Sequence, residues 1–439
     1  MAKLRTLSIL LSLLVPVHST RSPDCGGILT PLGLSYFAEV SKPHAETVLR
    51  QDLLAPAVPD LLVGSTKPSR TQINSVKVTE LSLSLVPDSG LRLSVDVDLG
   101  ITPAPSTTKV TRLSIRADLH VEMNPEGNLE VVTSACKPTM EEVQSTEERE
   151  RSILWFSLLW DLGNGGKEET EVCLEVSKLL LSPNEELISL TAQFPVSPSC
   201  QLQYLPLAAP VFSEQGITIS LQTTFQVAGM AIPLPVSPVP FNMPELASSS
   251  PAHLTLAFSE HFFSSLFFAL EMAGAFNMTI LSPLTTATVA PKITQMGSLF
   301  PEDLPVVLQA VFRSSTRVVL EEGKAALKLL LTVHVGAGSP AFQSFLSVNV
   351  DMSAGLLLSV TNTRMIISAP DALLEELFLP TIRTEVPAQI NVVLSEGVVL
   401  PHISSFTYTN INVVIHKDYV LVPCNLQLQE RTGAQTTVG

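Results

Sequence analysis

Between Leu81 and Ile101 apolar and polar residues alternate almost without a break: Leu81, Leu83 and Leu85, then Pro87-Asp88-Ser89-Gly90, then Leu91, Leu93, Val95, Val97, Leu99 and Ile101. Side chains of a strand repeat every two residues, so the apolar set falls on one face of a β-hairpin. Ser82, Arg92, Asp96 and Asp98 fall on the other. Arms of about ten residues are long for strands. A sheet this apolar on one side must be covered by helices, by a second sheet or by an apolar ligand.

The chain has 439 residues, more than one core comfortably serves, and two domains of about 200 residues are expected. Hydrophobic residues make up 45% and charged residues 15%, which excludes a disordered or coiled-coil chain. Met1 to Arg5 is basic, Leu7 to Val17 is apolar, and His18-Ser19-Thr20 supplies a small residue at the expected cleavage point. Residues 1–19 therefore read as a secretory signal peptide, too short in its apolar run to span a bilayer, and the mature protein is expected to be extracellular. Loss of Lys3 and Arg5 moves the net charge from -15 to -17. Such a surface repels nucleic acid and lipopolysaccharide phosphates unless a local basic patch exists, and the sequence shows none.

Five cysteines, Cys25, Cys136, Cys173, Cys200 and Cys424, are too few for a disulfide scaffold. Five is odd, so at least one is free or pairs between chains, and no spacing resembles a metal site. Asn277-Met278-Thr279 is the one glycosylation sequon.

Pro31 to Leu54 has helical spacing, with Leu34, Phe37 and Val40 on one face, an expected kink or restart at Pro43 capped by Ser41, and then Ala45, Val48 and Leu49. A second hairpin runs from Leu113 to Met123, turns at Asn124-Pro125-Glu126-Gly127 and continues through Leu129 and Val131. Residues 201–228 return to strand character. Six prolines between Pro233 and Pro251 make residues 229–252 an extended linker between a first domain, 20–228, and a second, 253–426, followed by a polar tail, 427–439. The second domain opens on a helix capped by Ser259, with Phe262, Phe263, Leu266, Phe267 and Leu270 on one face and its end near Gly274. Strands through Leu327–Val335 and Leu346–Met352 follow, then a helix from Asp371 through Leu377, and a last hairpin turning near His416-Lys417-Asp418.

Leader, twin α+β halves, a Pro-rich middle and paired cysteines closing the first half resemble the family of bactericidal/permeability-increasing protein, lipopolysaccharide-binding protein and the PLUNC proteins. The stretches that carry this are Ser134-Ala135-Cys136 with Val172-Cys173-Leu174, and Leu254 to Met278; PDCGGILTPLGLSYFAEVSKPHAE and HKDYVLVPC further resemble an avian egg-white member. The resemblance implies an α+β fold, an elongated two-domain boomerang in which each twisted antiparallel sheet is wrapped on long helices and a central sheet joins the halves. It also implies a Cys136–Cys173 disulfide and an apolar pocket in each half for phospholipid or other acyl-chain lipid. Lining candidates carried over are Leu34, Phe37 and Val40 in the first half and Phe262, Phe263, Leu266 and Phe267 in the second.

Two stretches depart from the family pattern. One is Leu154 to Gly166, which holds both tryptophans; the other lies at Ser368 to Asp371, where the chain is shorter by a strand and the start of a helix. The second departure lowers the lipid capacity expected of the second pocket.

Eight scattered histidines, no HExxH, no GxSxG and no phosphate-binding glycine loop leave no case for an enzyme, and no cofactor or metal is expected. An acyl chain of about 16 carbons gains roughly 12 kcal/mol on burial before ordering costs, with no need for a charged clamp. The expected function is a secreted lipid-binding protein with an antibacterial, innate-defence role by resemblance. Weak or no lipopolysaccharide binding, no nucleic acid and peripheral membrane contact complete that expectation. The alternative is a surface-active or structural secretory protein whose pockets are filled by its own side chains.

Overall fold

The computed structural model describes residues 22–54, 72–102, 109–123, 129–142, 192–232, 241–245, 252–293, 299–300, 302–312, 316–338, 341–370, 379–403 and 405–429. The signal peptide, most of the Pro-rich linker, Cys173, the tryptophan segment, the helix expected from Asp371 to Leu377 and the polar tail except Gln427–Gln429 lie outside them.

In chain order the elements are β1 (Cys25–Leu29), α1 (Pro31–Leu54), β2 (Gln72–Val86), β3 (Gly90–Thr102), β4 (Lys109–Met123), β5 (Leu129–Glu142), β6 (Phe194–Ser197), β7 (Cys200–Pro206), β8 (Val211–Ser213), β9 (Gly216–Val227), β10 (Met230–Ala231) and β11 (Leu254–Ser259). The second half continues with α2 (Glu260–Met272), β12 (Met278–Thr285), β13 (Pro305–Phe312), β14 (Arg317–Glu321), β15 (Lys324–Ala337), β16 (Gln343–Thr361), β17 (Arg364–Ser368), α3 (Leu379–Val393), β18 (Val398–Val399), β19 (Phe406–Thr409), β20 (Val414–His416) and β21 (Tyr419–Leu428).

Three antiparallel sheets result. The first lobe is built on β2-β3-β4-β5, the second on β12-β13-β15-β16-β17-β18 with β14 beside β15, and a ten-stranded sheet in the order β19-β21-β11-β1-β9-β7-β6, with β8 and β10 beside β9 and β20 beside β21, takes strands from both halves. The join lies at β1, whose Cys25 is registered with Leu221 of β9 on one side and Phe258 of β11 on the other. The central sheet expected from the family resemblance is therefore present.

The β2-β3 hairpin pairs Leu85 with Leu91 and Leu83 with Leu93. Farther along β2 the buried residues are Val76 and Val78, of opposite parity to Leu81, Leu83 and Leu85. A register shift between Val78 and Glu80 absorbs that change and keeps both sets on the inner face.

Helix α1 runs as one helix through Pro43, so of the kink or restart expected there the restart capped by Ser41 does not occur. Proline deletes one intrahelical bond, but the side chains flanking it tie the helix to β2. Lys42 Nζ donates to Thr79 O at 2.5 Å, Glu46 Oε2 accepts from Val78 N at 3.2 Å, and Arg50 donates to Val76 O at 3.3 Å. At its start Thr30 Oγ1 accepts from Gly33 N and donates to Ala252 O, so the cap of α1 also holds the opening of the second half. Gly33 approaches His253 O so closely that a Cβ would sit 2.2 Å from it.

Helix α2 follows its sequence signals closely. Ser259 Oγ accepts from Phe262 N, and Gly274 (φ 72) ends the helix with Ala275 N bonding back to Leu270 O and Gly274 N to Glu271 O. This pattern satisfies the last carbonyls and needs a residue free to adopt positive φ. Helix α3 begins at Leu379 and contains Pro387, and Asn391 pins it by bonding both N–H and C=O of Ala369. Among the described residues α1 lies against β2 and α2 against β14.

Candidate functional site

The residues expected to line an apolar pocket in the first half do not share one surface. Leu34 packs with Phe212 and Ile217, beside Leu29, Leu83, Leu85, Leu91 and Val121. Phe37 and Val40 sit on the neighbouring stripe of α1 and turn toward the second half, where the Phe37 and Phe406 rings are 5.7 Å apart. Tyr36 beside them stacks on His253 at 4.7 Å and accepts from Leu428 N. Three residues within two helical turns thus serve two different contacts, because a helix presents successive faces every 100°.

In the second half Phe262, Phe263, Leu266 and Phe267 come together and are 0% exposed. Phe258 lies 4.8 Å from Phe262, Phe262 and Phe263 meet edge to face at 5.1 Å, and Phe267 stacks on Phe276 at 6.1 Å. These separations are those of favourable aromatic pairs, and the rings fill the space between α2 and the sheets with their own carbon.

Part of the apolar inner face of the first lobe remains uncovered. Ala45 and Leu49 of α1 close on Val76, Val95, Val97, Leu113 and Ile115, all buried. Toward the β2-β3 turn, Leu81, Leu83, Leu85, Leu91, Val121 and Val131 face the same interior and stay half-buried. The alternation in the sequence identifies this face, but not which end of it is left open.

Outside the same sheet the charges pair across strands. Arg92 donates to Asp118 at 2.8 Å and Arg112 to Asp98 at 3.0 Å. The hydrogen bond from Arg92 holds the Asp118 carboxyl below the usual carboxylate range. Asp98 of the hairpin is thus compensated by Arg112 of β4, while Arg92 of the hairpin pairs with Asp118 of β4. Glu80, Ser82, Arg92, Ser94, Asp96 and Arg116 line a shallow hollow of about 380 Å³ on this outer face.

Asp24, just before β1, is 1% exposed. Thr223 donates to its Oδ1 from both backbone N and Oγ1, at 2.9 and 3.0 Å, while Oδ2 has no partner. Burial outweighs those donors and raises its pKa to about 6. No apolar periodicity marks this residue, and the sequence gives no signal for it. Cys25, Cys200 and Cys424 are free and buried in separate registers of the central sheet, opposite Leu221, Val227 and Leu254. Burial pushes the Cys200 thiol up to about 11 and the Cys424 thiol to about 12. Cys136 is disulfide-bonded. Asn277 is exposed in the turn after α2, two residues before exposed Thr279.

Among the described residues no group of three or more His, Cys, Asp or Glu could hold a metal ion, and no helix is long and apolar enough to cross a membrane.

Comparison with known proteins places this arrangement. The chain is 60% identical to Protein TENP of Gallus gallus, an alignment covering 96% of this chain and 99% of that protein. It is 25% identical to BPI fold-containing family B member 2 of Homo sapiens, over 98% of this chain and 100% of the relative. It is 22% identical to bactericidal permeability-increasing protein of Sebastes schlegelii, over 94% and 97%. The crystal structure of lipopolysaccharide binding protein superposes with a TM-score of 0.51 at 17% identity, over 93% of this chain and 100% of that one, a likeness of fold. No family model matches the chain.

Proposed function

The chain belongs to the family of bactericidal/permeability-increasing protein, lipopolysaccharide-binding protein and the PLUNC proteins, and from that premise we propose that it is a secreted, non-enzymatic lipid-binding protein that holds phospholipid acyl chains inside its first lobe. The observation that carries the proposal is the row Leu81, Leu83, Leu85, Leu91 and Val121, which faces the lobe's interior and is only half-buried. Each methylene of an acyl chain laid along it gains about 0.8 kcal/mol. Leu34 forms one wall of that slot. Phe37 and Val40 lie outside that slot, packed against the core shared with the second half. In the second lobe Phe262, Phe263, Leu266 and Phe267 act as a floor already filled, so that lobe holds little or no lipid.

The cross-strand pairs Arg92–Asp118 and Arg112–Asp98 support weak lipopolysaccharide binding, since cations already neutralised by acids offer little to phosphate. Membrane contact is peripheral, and an innate-defence role follows by kinship alone. The same reading takes residues 1–19 as a cleaved leader, 229–252 as the linker between halves, Cys136–Cys173 as the disulfide and Asn277 as a glycosylation site. A second reading, a surface-active or structural egg-white protein without lipid, is favoured by the self-filled core around α2. Mass spectrometry of an organic extract of the purified protein separates the two: phospholipid in stoichiometric amount supports the first, and a lipid-free protein that still lowers surface tension supports the second.

A further inference from the structure

On the outer face of the first lobe opposite charges pair across strands at two places, Arg92 with Asp118 and Arg112 with Asp98, each pair directly opposite in register. Between those pairs the strands set like charges side by side. Glu80 of β2 stands directly opposite Asp96 of β3, and Arg116 of β4 stands directly opposite Lys137 of β5. Like charges in that position repel and cost stability. Among the described residues neither of these two carboxylates, nor the Arg116 guanidinium, has an ion-pair or side-chain hydrogen-bond partner.

The two acids are brought together by the register shift between Val78 and Glu80. That shift turns Glu80 outward, and Thr79 holds it by donating from Oγ1 to Asp96 O at 3.0 Å while its own carbonyl accepts from Lys42 of α1. Bulges of this kind re-aim a side chain. One step along the strands, about 7 Å away, Ser82, Ser94 and Arg116 form the next row. The two rows and Arg92 line the shallow hollow of about 380 Å³, so an acidic end and a basic, hydroxyl-bearing end share one concavity.

We propose that this hollow binds a small zwitterion, a primary ammonium group joined to a phosphate ester. The ammonium donates to Glu80 and Asp96, and the phosphate oxygens accept from Arg116 and from the Ser82 and Ser94 hydroxyls. Such a ligand neutralises both ends at once, whereas a polyanion that finds Arg116 also meets two carboxylates, in keeping with weak lipopolysaccharide binding. No aromatic ring is among the lining residues, so a quaternary ammonium, which has no N–H to donate and is held by aromatic faces, is the poorer fit. The acyl-chain slot lies on the opposite face of the same sheet, so this ligand is a separate molecule and its binding does not depend on lipid in the interior.

Isothermal titration calorimetry of the full-length protein with glycerophosphoethanolamine should show saturable binding, with inorganic phosphate, ethanolamine and glycerophosphocholine each weaker by about tenfold or more. Asp96→Asn and Arg116→Gln should each weaken binding about tenfold, with an unchanged circular dichroism spectrum and no fall in melting temperature. The ligand comparison on the unmodified protein stands on its own should a variant misfold. Co-sedimentation with phosphatidylethanolamine vesicles that falls in the same variants makes a membrane headgroup the source, and vesicle binding that ignores them makes it a soluble ester; either supports the site. No saturable binding, inorganic phosphate binding as tightly as the zwitterion, or an affinity unchanged in both folded variants would overturn the proposal.

Discussion

The first and second lobes share a plan of helix against antiparallel sheet, yet they fill their interiors in opposite ways. In the second, α2 drives three phenylalanines and two leucines into a space that they occupy completely. In the first, α1 seals one end of the sheet with small or aliphatic residues, Ala45 and Leu49, and leaves leucines at the other end half-buried. Large aromatic side chains close a cavity and short aliphatic ones leave room, so the identity of a few helix residues decides whether a lobe can hold a ligand.

That contrast is open to direct attack. Phe263→Ala should cost about 3–5 kcal/mol in denaturant unfolding, whereas Leu83→Ala should cost about 1–2 kcal/mol, because Leu83 loses fewer contacts. Equal costs would erase the distinction between a filled and an open lobe.

Asp24, at the seam that both lobes share, should make stability depend on pH. Its carboxyl titrates at the ordinary 3.8 when unfolded and at about 6 when folded. Below about pH 4 both states keep the proton; between about 4 and 6 the unfolded chain releases it first, so stability falls across that window by about 3 kcal/mol and stays lower above it. In Asp24→Asn the melting temperature should lose most of its fall between pH 4 and 7.

Smaller effects come from the helix starts. Ser259→Ala and Thr30→Ala should each cost about 1 kcal/mol, but Thr30 also donates to Ala252 O, so its loss should additionally speed hydrogen exchange in β11. Smallest of all, the native protein should resist thiol reagents at neutral pH. Cys25, Cys200 and Cys424 are buried and their pKa values lie high, so labelling should appear only on unfolding.

Much of the fold is legible in the sequence because its signals are local. The period-two rows give β2 to β4, β15 and β16, and Ser259 and Gly274 bound α2 within a residue or two. At Pro43 the sequence leaves a kink or a restart open and a single helix runs through it, while Pro387 sits inside α3, a helix the sequence analysis does not place. In both helices tertiary bonds from neighbouring side chains offset the lost backbone bond. The candidate site is less legible, since helical spacing groups Leu34 with Phe37 and Val40 but cannot say that the core shared with the second half draws two of them away. A row of phenylalanines reads alike whether it lines a cavity or fills one. The role of Asp24 depends on Thr223, nearly two hundred residues away, and Arg112 reaches Asp98 only through strand register.

The most direct test loads the protein with a phospholipid carrying a photoreactive group near the end of one acyl chain and maps the adducts by peptide mass spectrometry. Adducts on Leu81 to Leu91 and on Val121, with none between Phe262 and Phe267, are the predicted result. Labelling concentrated on α2, or no specific labelling at all, would contradict the account.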